Sequence, residues 1–207
     1  MSLMSVYLGR NGMSISVREF YYRYLSQSNV SHRLISLYVS DTLAINNGLW
    51  LAEHLSIFIN LRYLFLIDIK RSSFELMLNT SSIKTSLVIL SVHYSAYYRA
   101  AYTFEGVPEG TYYERIFHLF PLIRICRLGF YRYIWNVLDN KIVLPFSKAF
   151  ISIETILFNL QSIAFEHCSL NFLLHILEHH PQLQELSFGP STPWLPDRHT
   201  LMNVHKK

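Results

Sequence analysis

Two histidines, His175 and His179, have the residue type and the spacing that could bind a metal ion. Together with Glu178 they form the pattern H-x-x-E-H, which occurs in a group of zinc-dependent peptidases. Residues four apart share one face of a helix, so both imidazoles could reach one zinc ion. A catalytic zinc needs a third protein ligand, and only Glu185 and Asp197 follow at modest range. One hypothesis is therefore a metal-dependent hydrolase. The alternative is the polar end of an ordinary helix, where the helix dipole favours such groups.

The two cysteines, Cys126 and Cys168, are candidate nucleophiles. Two thiols do not make a disulfide framework, and no C-x-x-C pair indicates zinc. Both fall where the repeat described below turns a side chain inward, and a buried cysteine usually packs as a small apolar residue. His167 adjoins Cys168, but neighbouring residues near a strand end generally point apart. The chain has no G-x-S-x-G elbow and no phosphate-binding loop, so we predict that it is not an enzyme and uses no metal or cofactor.

The elements that carry these residues belong to a repeat of the form L-x-x-L-x-L. Successive copies begin 27, 26, 36, 37 and 23 residues apart. Three of these spacings lie in the range of about 20 to 29 residues that is typical of leucine-rich repeats. The two longer spacings require insertions, one of which includes the loop 106–110. The six copies are Leu34-Leu37-Val39, Leu61-Leu64-Leu66, Leu87-Leu90-Val92, Ile123-Cys126-Leu128, Leu160-Ile163-Phe165 and Leu183-Leu186-Phe188.

One copy, which begins at Leu160, matches the full consensus L-x-x-L-x-L-x-x-N/C-x-L. Ile163 and Phe165 alternate inward on a short strand, because side chains of a strand repeat with a period of two. Cys168 occupies a sharp turn, where a small side chain must fit inside the coil. Leu170 then re-enters the core.

Apolar residues between the strands follow the i, i+3, i+4, i+7 spacing of helices. Two of these helices end at proline signals, Phe120-Pro121 and His180-Pro181. The predicted fold is an α/β leucine-rich-repeat solenoid, with short parallel strands on the concave face and helices on the convex face. The alternative is an ordinary α/β domain with buried parallel strands and crossover helices. The apolar stripes are Leu51-Leu55-Phe58, Tyr113-Ile116-Phe117-Phe120 and Leu170-Leu173-Leu174-Leu177.

The repeats divide the chain into three predicted parts. Residues 31–189 form an array of about six irregular repeats, residues 1–30 form an N-terminal cap or remnant segment, and residues 190–207 form a C-terminal tail. The ends of a solenoid need an atypical cover for the exposed core. We expect Trp194 to supply this cover at one end. At the other end we expect it from the aromatic residues Phe20, Tyr21, Tyr22 and Tyr24.

The stretch from Val30 to Gly189 resembles the leucine-rich-repeat region of F-box proteins. The resemblance is carried by the runs HRLISLYVSD, FINLRYLFLIDI, LFPLIRICRLGFY, LFNLQSIAFEHCSL and HHPQLQELSF. In that family the repeats bind a substrate and the F-box docks on the adaptor of a cullin-type ubiquitin ligase, so the resemblance implies a substrate receptor. An F-box usually opens with Leu-Pro, whereas residues 1–30 contain no proline. Either the chain lacks an F-box or it is a shortened member, and a partial copy without independent function is a further alternative.

The outward positions of the strands are the expected binding surface, because they line the concave face of a solenoid. Aromatic and arginine side chains are enriched in protein interfaces. The alternative is that an insertion or the C-terminal segment covers these side chains, which then belong to the core. The fifth positions form the row Tyr38, Phe65, Ser91, Arg127, Ala164 and Ser187. The predicted partner-binding residues are Tyr38, Tyr63, Phe65, His93, Arg124, Arg127 and Glu166.

Composition and charge exclude several other classes. With 51% apolar residues the chain can bury a core, so it is not a disordered protein. Its formal charge is +4, but the basic residues are scattered and do not form the stripe that nucleic acid requires. The longest stretch without a charged side chain, Thr85–Tyr98, is too short to span a membrane, and Arg10 interrupts any secretory signal. We therefore predict a cytoplasmic or nuclear protein whose partner is another protein.

Overall fold

The fold is described from a computed structural model of the chain. It describes residues 3–9, 14–41, 46–80, 86–94, 110–129, 155–168 and 170–190. Within these ranges, residues 166–168, 170–171 and 189–190 are described by their backbone alone. The predicted loop 106–110, apart from Gly110, and the tail with Trp194 lie outside the described residues.

The described residues contain one sheet of seven parallel strands. The strands are β1 (Met4–Leu8), β2 (Leu34–Ser40), β3 (Tyr63–Ile67), β4 (Ile89–His93), β5 (Ile125–Leu128), β6 (Ser162–Cys168) and β7 (Glu185–Pro190). The helices are α1 (Ile15–Leu25), α2 (Ser28–Ser31), α3 (Asn47–His54), α4 (Arg71–Thr80), α5 (Thr111–Leu119) and α6 (Leu170–His179). A short 3₁₀-helix, Leu55–Ile57, extends α3. Along this part of the chain no helix has the length and apolarity to cross a membrane.

The strands follow one another across the sheet in the order in which they occur in the sequence, from β1 to β7. Each crossover therefore moves in the same direction. Parallel crossovers are almost always right-handed, so this order places the connecting helices on one face of the sheet. A doubly wound α/β sheet differs, because its strand order reverses at a switch point and its helices cover both faces.

The register of the strands aligns the six predicted L-x-x-L-x-L segments with one another. The fourth positions lie side by side in the row Val6, Leu37, Leu64, Leu90, Cys126, Ile163 and Leu186. The sixth positions form the row Leu8, Val39, Leu66, Val92, Leu128, Phe165 and Phe188. Both rows belong to one hydrophobic core, except at the last strand, where Phe188 is 38% exposed. The period of two therefore separates a core face from a second face that we call the open face.

A turn before four of the strands repeats the same hydrogen bond. The carbonyl oxygens of Phe58, Phe120, Leu157 and His180 each accept from the backbone N–H three residues later, over 3.0, 3.0, 3.2 and 3.1 Å. All four side chains are buried. The turn delivers the first position of the repeat to the core, where Leu61, Ile123 and Leu160 are fully buried. One local structure thus recurs before these strands in the described part of the chain.

The N-terminal segment supplies β1 to the sheet. Residues 3–8 fit L-x-x-L-x-L through Leu3, Val6 and Leu8, a copy that the sequence analysis did not identify. Helix α1 follows, and the hydroxyl of Ser14 caps it by accepting from the N–H of Val17. Of its aromatic residues, Tyr22 is half-buried against α3, whereas Phe20 is exposed.

Two of the predicted apolar stripes are correct in substance, and one is wrong in its phase. Leu51, Leu55 and Phe58 are buried, as are Tyr113, Ile116, Phe117 and Phe120. In α6, however, Leu174 and Leu177 are exposed, and the buried face consists of Phe172, Leu173 and Ile176. The six apolar residues of α6 cover a wide arc of the helix, so more than one apolar stripe fits the sequence, and the packing buries the stripe that includes Phe172. Helix α4 is an additional element that the sequence analysis did not predict.

Candidate functional site

Three aromatic side chains are stacked along the open face. Tyr7, Tyr38 and Phe65 occupy the fifth position in β1, β2 and β3 and are in register. The ring centroids of Tyr38 and Phe65 lie 4.3 Å apart with planes 5° from parallel, and those of Tyr7 and Tyr38 lie 5.8 Å apart at 24°. Tyr7 is exposed, and the other two are half-buried. We call these three residues the aromatic row.

The same line of positions continues with smaller or charged side chains. Ser91, Arg127, Ala164 and Ser187 follow Phe65 in register across β4 to β7. The predicted alignment of the fifth positions is therefore confirmed, and Tyr7 extends it by one strand. Tyr7 was missed because the copy in β1 was missed, although Leu3-x-x-Val6-x-Leu8 contains the signal.

A weak ion pair lies at the far end of this face. Arg127 Nη2 is 3.9 Å from Glu185 Oε2, and both side chains are more than half exposed. The hydroxyl of Ser162 donates to the same carboxylate over 2.6 Å. An ion pair in such contact with water contributes little to stability, so Arg127 is available to another anion.

The other predicted binding residues lie at the borders of the open face. Tyr63 is half-buried and occupies the third position of β3. His93 is exposed at the end of β4, and Arg124 is exposed immediately before β5. The backbone of Glu166 lies in β6, and its side chain is outside the described residues.

Sequence reasoning missed Arg62, which takes the same backbone position as Arg124. The carbonyl of Arg62 accepts from the N–H groups of Val88 and Ile89, and the carbonyl of Arg124 accepts from those of the next strand in the same way. Both arginines are exposed. The second position of the repeat carries no apolar requirement, so only knowledge of the register could have linked the two.

The two histidines of the H-x-x-E-H pattern are neighbours on α6. The ring centroids of His175 and His179 are 4.0 Å apart, and Nδ1 of His179 lies 2.9 Å from the carbonyl oxygen of His175. Within the described ranges, no group of three or more His, Cys, Asp or Glu side chains is placed to hold a metal ion. The third ligand that the metal-dependent hydrolase hypothesis requires is not supplied by this part of the chain.

His180, the next residue, is in the core. Its side chain is 1% exposed, and its ring meets that of Phe117 edge to face at a centroid distance of 5.5 Å. Neither ring nitrogen has a hydrogen-bond partner among the described residues. Burial, followed by the charges of His179 and His175, lowers the pKa of His180 below its ordinary value. His180 therefore takes the place of the apolar residue that the turn carries elsewhere.

Cys126 is fully buried between Leu90 and Ile163 in the row of fourth positions. Burial raises the pKa of its thiol far above the ordinary value, so the reactive thiolate does not form near neutral pH. The prediction that Cys126 packs as a small apolar residue is confirmed. The side chains of Cys168 and His167 are outside the described residues.

A polar cluster joins the end of β2 to the start of α3. Asp41 is buried, and one of its carboxylate oxygens accepts from the N–H of Gly48 over 3.1 Å. The side chain of Asn47 donates to the carbonyl of Ser40 over 2.6 Å and accepts from the hydroxyl of Tyr22. Burial is the main cause that raises the pKa of Asp41. These contacts fix how α1 and α3 meet the sheet.

Between α1 and α3 lies an open groove with a volume of about 430 Å³. Its wall is a stack in which the ring of Trp50 lies 4.5 Å from that of Tyr22 and 5.1 Å from that of His54. Burial raises the pKa of Tyr22 to about 12, so its hydroxyl remains a neutral hydrogen-bond donor. Trp50 is nearly buried, and Arg23, Ser26 and Gln27 also line the groove.

No family model, no curated protein and no solved structure matches the chain. The resemblance to the repeats of F-box proteins therefore stays a prediction.

Proposed function

We propose that the chain is a leucine-rich-repeat solenoid that binds a protein partner on the open face of its sheet. The observation that carries this proposal is the aromatic row, three stacked rings on the face turned away from the core. The uniform strand order and the recurring turn before the strands support the solenoid. In such a repeat each unit contacts its neighbours, and the strands together present an extended recognition surface.

The composition of this face favours recognition over catalysis. Tyr, Phe and Arg are common at the energetic centres of protein interfaces. Tyr38 and Phe65 already contact each other in the free chain, so little side-chain entropy is lost when a partner covers them. A partner that covers the row removes further apolar surface from water, which favours association.

The resemblance to F-box proteins extends this proposal to a biological role. In that role the open face binds the substrate of a ubiquitin ligase, and another part of the receptor contacts the adaptor of the cullin-type ligase. Residues 1–30 include the strand β1 and the helix α1. Binding of the adaptor is a separate claim from binding by the open face, and the two are tested separately.

The proposal is tested by affinity capture from a cell lysate with three forms of the chain. Phe65→Ala removes the ring at the β3 end of the aromatic row, and Phe158→Ala removes a ring that is 84% exposed in the turn before β6. We expect proteins captured by the wild type to be lost with Phe65→Ala and kept with Phe158→Ala. Thermal unfolding of each variant verifies that the fold is intact.

Each captured protein is then purified and titrated against the wild type and both variants. A partner whose affinity is the same for all three forms contradicts binding by the aromatic row. Capture of a cullin-ligase adaptor that is unaffected by Phe65→Ala would support the ubiquitin-ligase role through a different surface.

A further inference from the structure

Among the described residues, acidic side chains are more frequent on the helices than on the strands. Among the described side chains, the acidic residues outside the sheet lie mainly on helices, at Glu19, Glu53, Glu75, Glu114 and Glu178. On the strands themselves, Glu185 is the one described side chain with an exposed carboxylate, and it lies on the last strand. Exposed arginines occur in both places, at Arg23 and Arg115 on helices and at Arg62, Arg124 and Arg127 in or directly before strands.

Arg62 and Arg124 are placed to act together. They hold the same position of the repeat on strands separated by one intervening strand, so their backbones are about 10 Å apart. Their long side chains can span that distance and bind neighbouring groups of one ligand. Among the described residues, no carboxylate forms an ion pair with either guanidinium.

The aromatic row and these arginines belong to the same region of the sheet by sequence and strand order. Arg62 directly precedes β3, whose Tyr63 and Phe65 face the open side, and Arg124 directly precedes β5. Arg127 lies two strands from Phe65 in the same line of fifth positions. Among the described side chains, the strands on either side of Phe65 therefore bring three arginines and one weakly paired carboxylate to the region that a ligand of this face would cover.

We propose that the partner segment bound by the open face is acidic and carries an apolar or aromatic side chain. Its carboxylates are bound by Arg62 and Arg124, and its apolar side chain packs on Phe65 and Tyr38. Guanidinium groups bind carboxylates through paired, charge-assisted hydrogen bonds, which give both attraction and orientation. This inference rests on the proposed function and specifies the chemistry of the partner.

The stacking within the aromatic row favours a peptide over a single-stranded nucleic acid. Bases bind to proteins by stacking on free ring faces. The ring of Tyr38 lies between those of Tyr7 and Phe65, so neighbouring side chains already occupy both of its faces. A nucleic-acid surface also needs more phosphate contacts than three arginines and a nearby carboxylate provide.

The test selects random peptides displayed on phage against the purified chain. The wild type is compared with the double variant Arg62→Glu/Arg124→Glu, with Phe65→Ala, and with the control Arg23→Glu, which reverses one exposed charge on α1. We expect the wild type and the control to enrich acidic peptides that contain an apolar or aromatic residue. For these peptides the double variant should lose roughly tenfold or more in affinity.

A swap of charges provides the sharper result. Peptides in which Lys replaces the acidic residues should bind the double variant more tightly than the wild type. Enrichment of neutral or basic peptides by the wild type overturns the acidic preference. If peptide binding is lost with Phe65→Ala but unchanged by the double charge reversal, the proposed function stands and the acidic preference is overturned. If neither variant changes the affinity for the peptides, both proposals are contradicted. Tighter binding of a single-stranded oligonucleotide, lost on double reversal, also overturns the inference.

Discussion

The open face has two halves that share one backbone and differ in their side chains. From β1 to β3 its central line is the aromatic row, and from β4 to β7 it holds Ser91, Arg127, Ala164 and Ser187. On the core side both halves present the same apolar rows. The repeat therefore constrains the inward positions in every strand and leaves the outward ones free to vary. Binding properties are therefore expected to differ where the outward side chains differ.

The largest effect should come from the core, and it should be equal in the two halves. Leu64→Ala in β3 and Ile163→Ala in β6 each remove a fully buried side chain from the row of fourth positions. We expect each to lower the free energy of unfolding by about 2 to 5 kcal/mol, because lost burial adds to the cost of a cavity. Chemical denaturation measures this. A loss in one half alone would show that the two halves do not share a core.

Binding should separate the halves. Phe65→Ala should weaken association with the partner by about 2 kcal/mol or more, as expected for a central aromatic anchor. Ser187→Ala, which changes the same position of β7, should alter it by less than about 0.5 kcal/mol. Titration calorimetry with the purified partner makes the comparison. If Ser187→Ala costs as much as Phe65→Ala, the aromatic half has no special role.

The turn before β7 departs from the apolar pattern and should be sensitive to pH. Its buried residue is His180, where equivalent turns carry Phe58 and Phe120. Because burial lowers the pKa of His180 in the folded chain, the unfolded chain binds more protons below the ordinary pKa of 6.5. The contribution of His180 should therefore lower the free energy of unfolding as the pH decreases below 6.5. Above that pH this contribution should not change with pH.

His180→Phe should remove this contribution and raise stability by about 1 to 3 kcal/mol, since a buried polar group without a hydrogen bond is costly. Thermal unfolding at several pH values measures both effects. His175 and His179 also lie close to His180, so their replacement by Gln provides the control. An unchanged pH dependence in His180→Phe would assign the effect to other groups.

The smallest effect is expected at the ion pair of the second half. Arg127→Ala removes the partner of Glu185, and both groups are exposed. We expect a change in unfolding free energy below about 1 kcal/mol. A larger loss of unfolding free energy would mean that charge interactions stabilise the half from β4 to β7. The half from β1 to β3 has stacked rings in that place.

The inward rows could be predicted from sequence because the period of two and the recurring leucines constrain each other. The copy at Leu3, Val6 and Leu8 could also have been found, but its position before the first helix made it read as a cap. The buried face of α6 could not be fixed, since Leu174 and Phe172 compete in a helix that is apolar on most sides. The equivalent positions of Arg62 and Arg124 depend on how β3, β4 and β5 are aligned in the sheet. No local sequence pattern shows that alignment.

The most direct test of the central claim is photo-cross-linking at the open face. A p-benzoyl-phenylalanine is introduced at position 65, and in a second protein at position 158, which is 84% exposed in the turn before β6. Both proteins are irradiated with the purified partner and the adducts are identified by mass spectrometry. We expect an adduct from position 65 and none from position 158. Adducts from position 158 alone, or equal adducts from both, would contradict recognition by the aromatic row.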